Sequence, residues 1–380
     1  MSKFVFILIL LPQLSELSFA ARRVNVEQLN QVIASCQGKH DDKTADRLLG
    51  LELTERLSAE KLASIQAALP GPLARQALTA IADIAVFQDP PTAELLNQPA
   101  PALEVQRDIA AKTIDYVHAK ILRQPNRVAS RETAHFEDTP TIQQPPKPDS
   151  PAGTFIPSQP MHLTNRLIET VVYRDGEEFI QTAAGEQSVT GSDSTGLSTF
   201  GEFGPVLSTI FRDLSAGKLM WKRWGQSSDR SEQSSGKQEA VFAFAVPKEA
   251  SHYQIQFCCV DDKLVKQFAP YHGEIAVNPA DGTVLRVAVI TDLTKRDPVT
   301  RADLMVEYGP VELGGQTYFC PKKTISVSVA PMQPTGQKHL PGFATGMMDP
   351  NFVELDHNRG IAGPPQTMLD EVVFDHYRPN

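Results

Sequence analysis

Tyr271-His-Gly-Glu-Ile-Ala-Val-Asn-Pro-Ala-Asp-Gly-Thr-Val-Leu-Arg-Val-Ala-Val-Ile-Thr291 is the stretch that decides the fold. Two runs rich in β-branched and aromatic residues, Tyr271 to Val277 and Thr283 to Thr291, flank Asn278-Pro279-Ala280-Asp281-Gly282. Pro followed by Asp-Gly is turn chemistry, so the segment predicts a β-hairpin. The same two-residue period recurs outward in both directions. Upstream it appears in Leu167 to Tyr173, in Glu178-Phe179-Ile180 after an Asp175-Gly176 turn, in Met220 to Trp224, in Val241 to Val246 and in His252 to Val260. Downstream it appears in Leu304 to Tyr308, in Thr317 to Cys320 beyond a Leu313-Gly314-Gly315 turn, in Thr324 to Val329 and in Val372 to Tyr377. Nine or more strands in series, mostly joined by hairpins, require a large antiparallel sheet that curls or closes. One helix interrupts them. Pro205 opens it at the first helical position, Val206, Ile210, Phe211 and Leu214 form an apolar stripe, and Gly217 ends it. Such a helix is suited to cover the hollow of a curved sheet.

The preceding part of the chain has a helical period. Val26, Leu29, Val32 and Ile33 recur at three- and four-residue spacing, and Leu48 to Leu57 does so less cleanly. Ser58 caps a helix that runs to Leu69, Pro70-Gly71-Pro72 stops it, and further helices follow over Leu73 to Phe87 and Leu103 to Leu122. Residues 137–160 carry six spaced proline sites and little to bury, which reads as a linker. The fold class expected is therefore α+β. A signal segment spans 1–20, a helical domain 21–136, the Pro-rich linker 137–160, and a curved antiparallel half-barrel with its covering helix 161–380.

Residues 1–20 also state a destination. Lys3 precedes an apolar run from Phe4 to Leu11, Pro12 ends it, and Ser18-Phe19-Ala20 supplies the small residues of a cleavage site. Export with cleavage after Ala20, into a periplasm or beyond, is the expectation. A run of eight residues is too short to span a bilayer, and Ala21 rather than Cys follows the cut. In an oxidising compartment Cys258, Cys259 and Cys320 become disulfide candidates. Cys258 and Cys259 are adjacent on a strand and point to opposite faces, so only one of them can meet Cys320. A chain of 380 residues with a net charge of -9 has ample material for two or three domains. Its acidity argues against a nucleic-acid partner.

Several segments resemble a family of uncharacterised exported acidobacterial proteins: Gly196-Leu-Ser-Thr-Phe-Gly-Glu-Phe-Gly-Pro205, Val246-Pro-Lys-Glu-Ala-Ser-His-Tyr253, Tyr271-His-Gly-Glu-Ile-Ala-Val-Asn-Pro279 and Val306-Glu-Tyr-Gly-Pro-Val-Glu-Leu-Gly-Gly315. This likeness covers most of the chain and implies no activity. The order of strands and covering helix over about 165–380 also resembles the half-barrel of periplasmic lipoprotein carriers and of sensor domains related to them.

Candidate chemistry is sparse. His272 and Glu274 form an His-x-Glu pair on one strand face, suited either to acid–base work in a hydrolase or to an ordinary polar outer face. Glu202, just before the covering helix, has the place of a helix cap. The Ser192 to Ser198 region lacks the spacing of a nucleophile turn. HExxH, phosphate-loop and dinucleotide patterns are absent from the sequence, and neither a metal nor a cofactor is expected. The remaining signal is aromatic. Trp221, Trp224, Phe242, Phe244, Tyr253 and Phe257 fall on successive strands and Phe211 on the covering helix, where they either pack a core or line an apolar cavity, and Phe200 and Phe203 lie in the Gly-flanked loop before that helix, placed as the apolar contacts of a lid. The functional expectation is an exported, non-enzymatic protein that holds or senses a lipid or acyl chain. A scaffold that docks an envelope protein is the alternative.

Overall fold

A computed structural model describes residues 21–121, 124–140, 142–143, 155–156, 158–175, 177–182, 185–188, 202–226, 238–260, 263–297, 299–331 and 364–380. Residues 1–20, expected to be a signal segment, and Phe200 lie outside them. Five helices occupy the first third: α1 (Val26–Ala34), α2 (Asp41–Leu49), α3 (Ala59–Ala68), α4 (Pro72–Ile84) and α5 (Leu103–Ala119). Short strands β1 (Arg22–Val24) and β2 (Leu51–Leu53) pair in parallel between them. The leucines from Leu48 to Leu57, expected to be helical, therefore divide. Leu48 and Leu49 end α2, and Leu51 and Leu53 point into the core from β2. Gly71 opens α4 without a side chain to cap it, and the Asp41 carboxylate does so from α2, accepting from Leu73 N at 3.0 Å and Ala74 N at 2.9 Å. Ser58 caps α3 as expected, accepting from Lys61 N.

The rest of the chain builds one sheet. Its strands in chain order are β3 (Arg127–Thr139), β6 (Gln159–Arg174), β7 (Glu177–Thr182), β8 (Gly185–Ser188), β9 (Lys218–Gln226), β10 (Gln238–Val246), β13 (Tyr271–Val277), β14 (Val284–Thr291), β15 (Arg301–Leu313), β16 (Gln316–Pro331) and β17 (Pro365–Pro379). They pair antiparallel in the order β8-β7-β6-β3-β17-β16-β15-β14-β13-β10-β9, eleven strands that curve without closing. Two small pairs stand outside this sheet: β4 (Ile142–Gln143) with β5 (Phe155–Ile156), and β11 (Gln254–Val260) with β12 (Lys263–Phe268). The α+β class and the curved antiparallel sheet are as expected.

Two boundaries differ. Residues 127–139, read as the end of the helical domain and the start of the linker, form β3 inside the sheet, and the linker's last residues open β6. A strand carrying Arg127, Arg131, His135 and Glu137 on one face has no apolar alternation to announce it. The disulfide expectation is also corrected. Cys320 is a fully buried free thiol on β16, whereas Cys258 and Cys259 belong to the separate β11–β12 pair, where only their backbone is described. Burial pushes the Cys320 thiol up, which keeps it protonated and inert.

Both faces of the sheet are covered. Helix α6 (Pro205–Asp213) and helix α5 lie on the inner face. Val206, Leu207 and Ile210 from α6, with Ile109, Val117 and Ile121 from α5 and just beyond it, pack against Phe242, Phe244, Tyr271, Ile275, Val287 and Val306. Each fully buried Leu or Ile here contributes roughly 1.5–3 kcal/mol. The buried Asp213 carboxylate at the end of α6 fixes the helix in place. It accepts from Tyr271 Oη at 2.9 Å and from His252 N at 2.7 Å, and it bonds His252 Nδ1 at 2.6 Å. Gly204, not Glu202, is the N-cap of α6, so Glu202 is no cap; it is buried, and its carbonyl accepts from Tyr308 Oη. On the outer face, α4 sets Ala80 and Ile84 on Ala288, Met305, Ile325 and Leu369.

Candidate functional site

Six of the eight aromatic residues expected to line a hollow are described with their side chains, and all six pack into apolar clusters. Phe242 and Phe244 are buried on β10, and Phe211, Trp221 and Tyr253 pack around them beneath α6. Trp221 meets Phe242 edge-on at 5.4 Å, and Tyr253 lies 5.3 Å from Tyr271. Phe203 belongs to a different cluster, between Tyr173, Phe374 and the fully buried Arg127 guanidinium, which lies 4.8 Å from its ring. Of Phe257 only the backbone is described. Helices from the chain itself thus occupy the inner face that a cargo would need.

The polar chemistry lies on the other face. Outward positions carry charges of alternating sign, Arg223 on β9 and then, across β10 with its Val241 and Ala243, Glu274 on β13, Arg286 on β14, Glu307 on β15, Lys323 on β16 and Glu371 on β17. The register makes Arg286–Glu307 and Glu307–Lys323 direct cross-strand neighbours. Opposite charges so placed attract, and a side-chain ladder of this kind also pins the register. A β-bulge between Val241 and Phe242 inserts one extra residue in β9, so that the consecutive side chains of Lys222 and Arg223 both reach Glu274. Arg223 grips that carboxylate through both terminal nitrogens, at 3.1 and 2.7 Å, and Arg286 adds a third cation at 3.9 Å. Burial pushes the Glu274 carboxyl up, but the hydrogen bonds and charges of Arg223 and Lys222 outweigh it and hold the group below the usual carboxylate range.

This ladder is the contact plane of the helical layer. Asp83 of α4 reaches Lys323 at 2.9 Å, and Glu371 takes the same ammonium at 2.7 Å. Asp89 binds Lys222 at 2.8 Å and Arg223 at 3.1 Å. Burial pushes the Asp83 carboxyl up to about 7 against the pull of Lys323. His272 and Glu274 do share one face, as their spacing implies, but they do not work together: His272 is exposed and bonds Asp292, while Glu274 is held by three cations.

Where α3 and the segment around Pro90 lift away from β9, β14 and β15, the seam opens into a cleft of about 890 Å³. Its walls hold Arg56, Lys61 and Glu94 from the helical layer, and Arg223, Glu239, Arg286, Glu307 and Lys322 from the sheet. Lys61 and Glu94 pair at 3.7 Å. Sequence reasoning missed this site because each strand was read for its apolar positions. The usable signal was the single charge set between apolar neighbours in Val284-Leu-Arg-Val-Ala-Val289 and Met305-Val-Glu-Tyr308.

No protein-family model matches the chain, and no curated protein matches it. Among solved structures, the complex of MucA and MucB from Pseudomonas aeruginosa aligns over 72% of this chain and 98% of that one, with 11% sequence identity and a TM-score of 0.20. A likeness that weak establishes neither fold nor function. Among the described residues no helix is long and apolar enough to cross a membrane, and no cluster of His, Cys, Asp and Glu has the makings of a metal site.

Proposed function

We propose that the protein is an exported binding module and that it holds its ligand in the cleft between the helical layer and the sheet. The carrying observation is that cleft: about 890 Å³, walled by two layers and dense in charged groups. Small-molecule sites fall in this size range and favour junctions between packed units. Among the described residues its lining includes neither His nor Cys, and Ser58 Oγ is engaged in capping α3, so the chemistry present suits recognition better than group transfer. Export rests on the character of residues 1–20. An apolar cargo on the inner face, the expectation from sequence, would have to displace α5 and α6 from their buried contacts with the sheet.

Native mass spectrometry of the protein purified from the cells that make it tests this reading. Ser64 lines the cleft and is exposed on α3, so Ser64→Trp fills the cleft without disturbing a core. A bound adduct in the wild type that is missing from Ser64→Trp is expected. No adduct, or one that survives the tryptophan, rejects the cleft as the site.

A further inference from the structure

We infer that the ligand of this cleft is a carboxylate, a polar molecule with a single negative charge, and that Arg56 is the residue that grips it. The inference rests on the cleft being the binding site. Arg56 leaves the helical layer just before α3 and lines the cleft together with Arg223 and Arg286. Its backbone N–H donates to Asp89 O, but among the described residues its guanidinium makes neither a hydrogen bond nor an ion pair. Two neighbouring cations are firmly engaged, Arg223 by Glu274 and Asp89 and Lys222 by Asp89 and Glu274, whereas Arg286 only comes within 3.9 Å of Glu274 and its Nη2 makes no hydrogen bond. The Arg56 side chain is half-buried, and its nitrogens are not among the sealed polar atoms, so they face the cleft. Burial, and then the like charge of Arg223, lower the Arg56 pKa, while Glu274, Glu239 and Glu307 pull the other way. A planar guanidinium left without a partner in such a place is built for a bidentate oxyanion.

The charge inventory narrows the class. The lining has five cations (Arg56, Lys61, Arg223, Arg286, Lys322) and four carboxylates (Glu60, Glu94, Glu239, Glu307), and Glu274, held by Arg223 and Arg286, is a fifth carboxylate beside them. One carboxylate asks only for the Arg56 guanidinium, whereas a polyphosphate or nucleic acid would bring several charges against the four lining carboxylates.

The test uses the full chain and acid/amide pairs that differ only in the charge. Gluconate with gluconamide and N-acetylglycine with its amide represent small acids. A Gly-Ser pentapeptide with a free or an amidated C-terminus represents a peptide end. Thermal shift and calorimetry should show one acid binding at least tenfold more tightly than its amide. Arg56→Gln should remove that preference with a tenfold or greater loss, and Arg56→Lys should restore part of it. Preference for gluconate or N-acetylglycine identifies a small acid, and preference for the pentapeptide identifies a chain terminus; both support the proposal. Equal binding of acid and amide, lost only in Ser64→Trp, overturns the carboxylate and leaves the cleft standing. Binding untouched by Ser64→Trp removes the cleft as well, and binding by none of the probes overturns the carboxylate assignment.

Discussion

Glu274 sits among more positive charge than any other side chain described here, with Arg223, Arg286 and Lys222 around one carboxylate. Replacing it by Gln keeps the volume, takes from Arg286 its carboxylate and leaves Lys222 and Arg223 with Asp89 alone. Removing one member of a buried ionic cluster costs about 3 kcal/mol or more, so urea unfolding should show Glu274→Gln as one of the most damaging polar substitutions. A change below about 1 kcal/mol would mean that the seam is well solvated. His135 offers a second residue-level test. Burial lowers its pKa, but hydrogen bonds to Asp370 and Glu137 overcome that and carry it to about 10. A folded value above the unfolded one, about 6.5, means that this stabilisation is complete below pH 6.5 and disappears as pH rises through 10. Wild-type stability should therefore fall between pH 6.5 and 10, and His135→Gln should flatten that fall. Equal slopes for the two proteins would reject the pairing.

At the level of elements, the β13–β14 turn shows how a local signal acquires a remote partner. Asn278-Pro279-Ala280-Asp281-Gly282 announces a hairpin by its own chemistry, and the hairpin is there. What the sequence does not show is that Gly282, at φ +75°, lies under helix α5, where an added Cβ would come within 2.4–2.5 Å of the backbone of Lys112 and Thr113. Gly282→Ala then suffers both left-handed strain and a collision with a helix, at least about 2 kcal/mol together. Loss of amide protection along α5 is the expected signature, and a variant with α5 fully protected would contradict it. Helix α4 depends likewise on a distant group, since Asp41 caps it across the helical layer. Asp41→Ala should cost about 1 kcal/mol in thermal or urea unfolding, and no cost would show that Gly71 needs no cap. Elements with their own punctuation were legible from sequence: α3, α4, α6 and, apart from β12, the strands from β9 onward. β3 was not, because it hides Arg127, Arg131 and His135 on an inward face where a strand normally shows aliphatic residues. The cleft escaped for a related reason. Its members come one or two at a time from α3, β9, β10, β14, β15 and β16, and only the register assembles them.

In the whole molecule, a charged plane joins the helical layer to the sheet more visibly than an oily one does. Asp83 shows how that plane responds to pH. Burial pushes its carboxyl up from 3.8 to about 7, so the protonated form favours the folded state, and the advantage is full below about pH 4 and gone above about 7. Asp83→Asn should lose this dependence, with Glu371 still holding Lys323. Matching pH profiles for the two proteins between 4 and 7 would show that Asp83 ionises freely in place. Among the described residues the sheet consists of two runs of hydrogen-bonded strands, β3-β6-β7-β8 and β9-β10-β13-β14-β15-β16, which pair with each other only through β17. That strand comes after every other in chain order, so the halves stay unstitched, each with a raw margin, until the last segment has been delivered and wedges between them. A chain without β17 is then two sticky fragments rather than a partial native form.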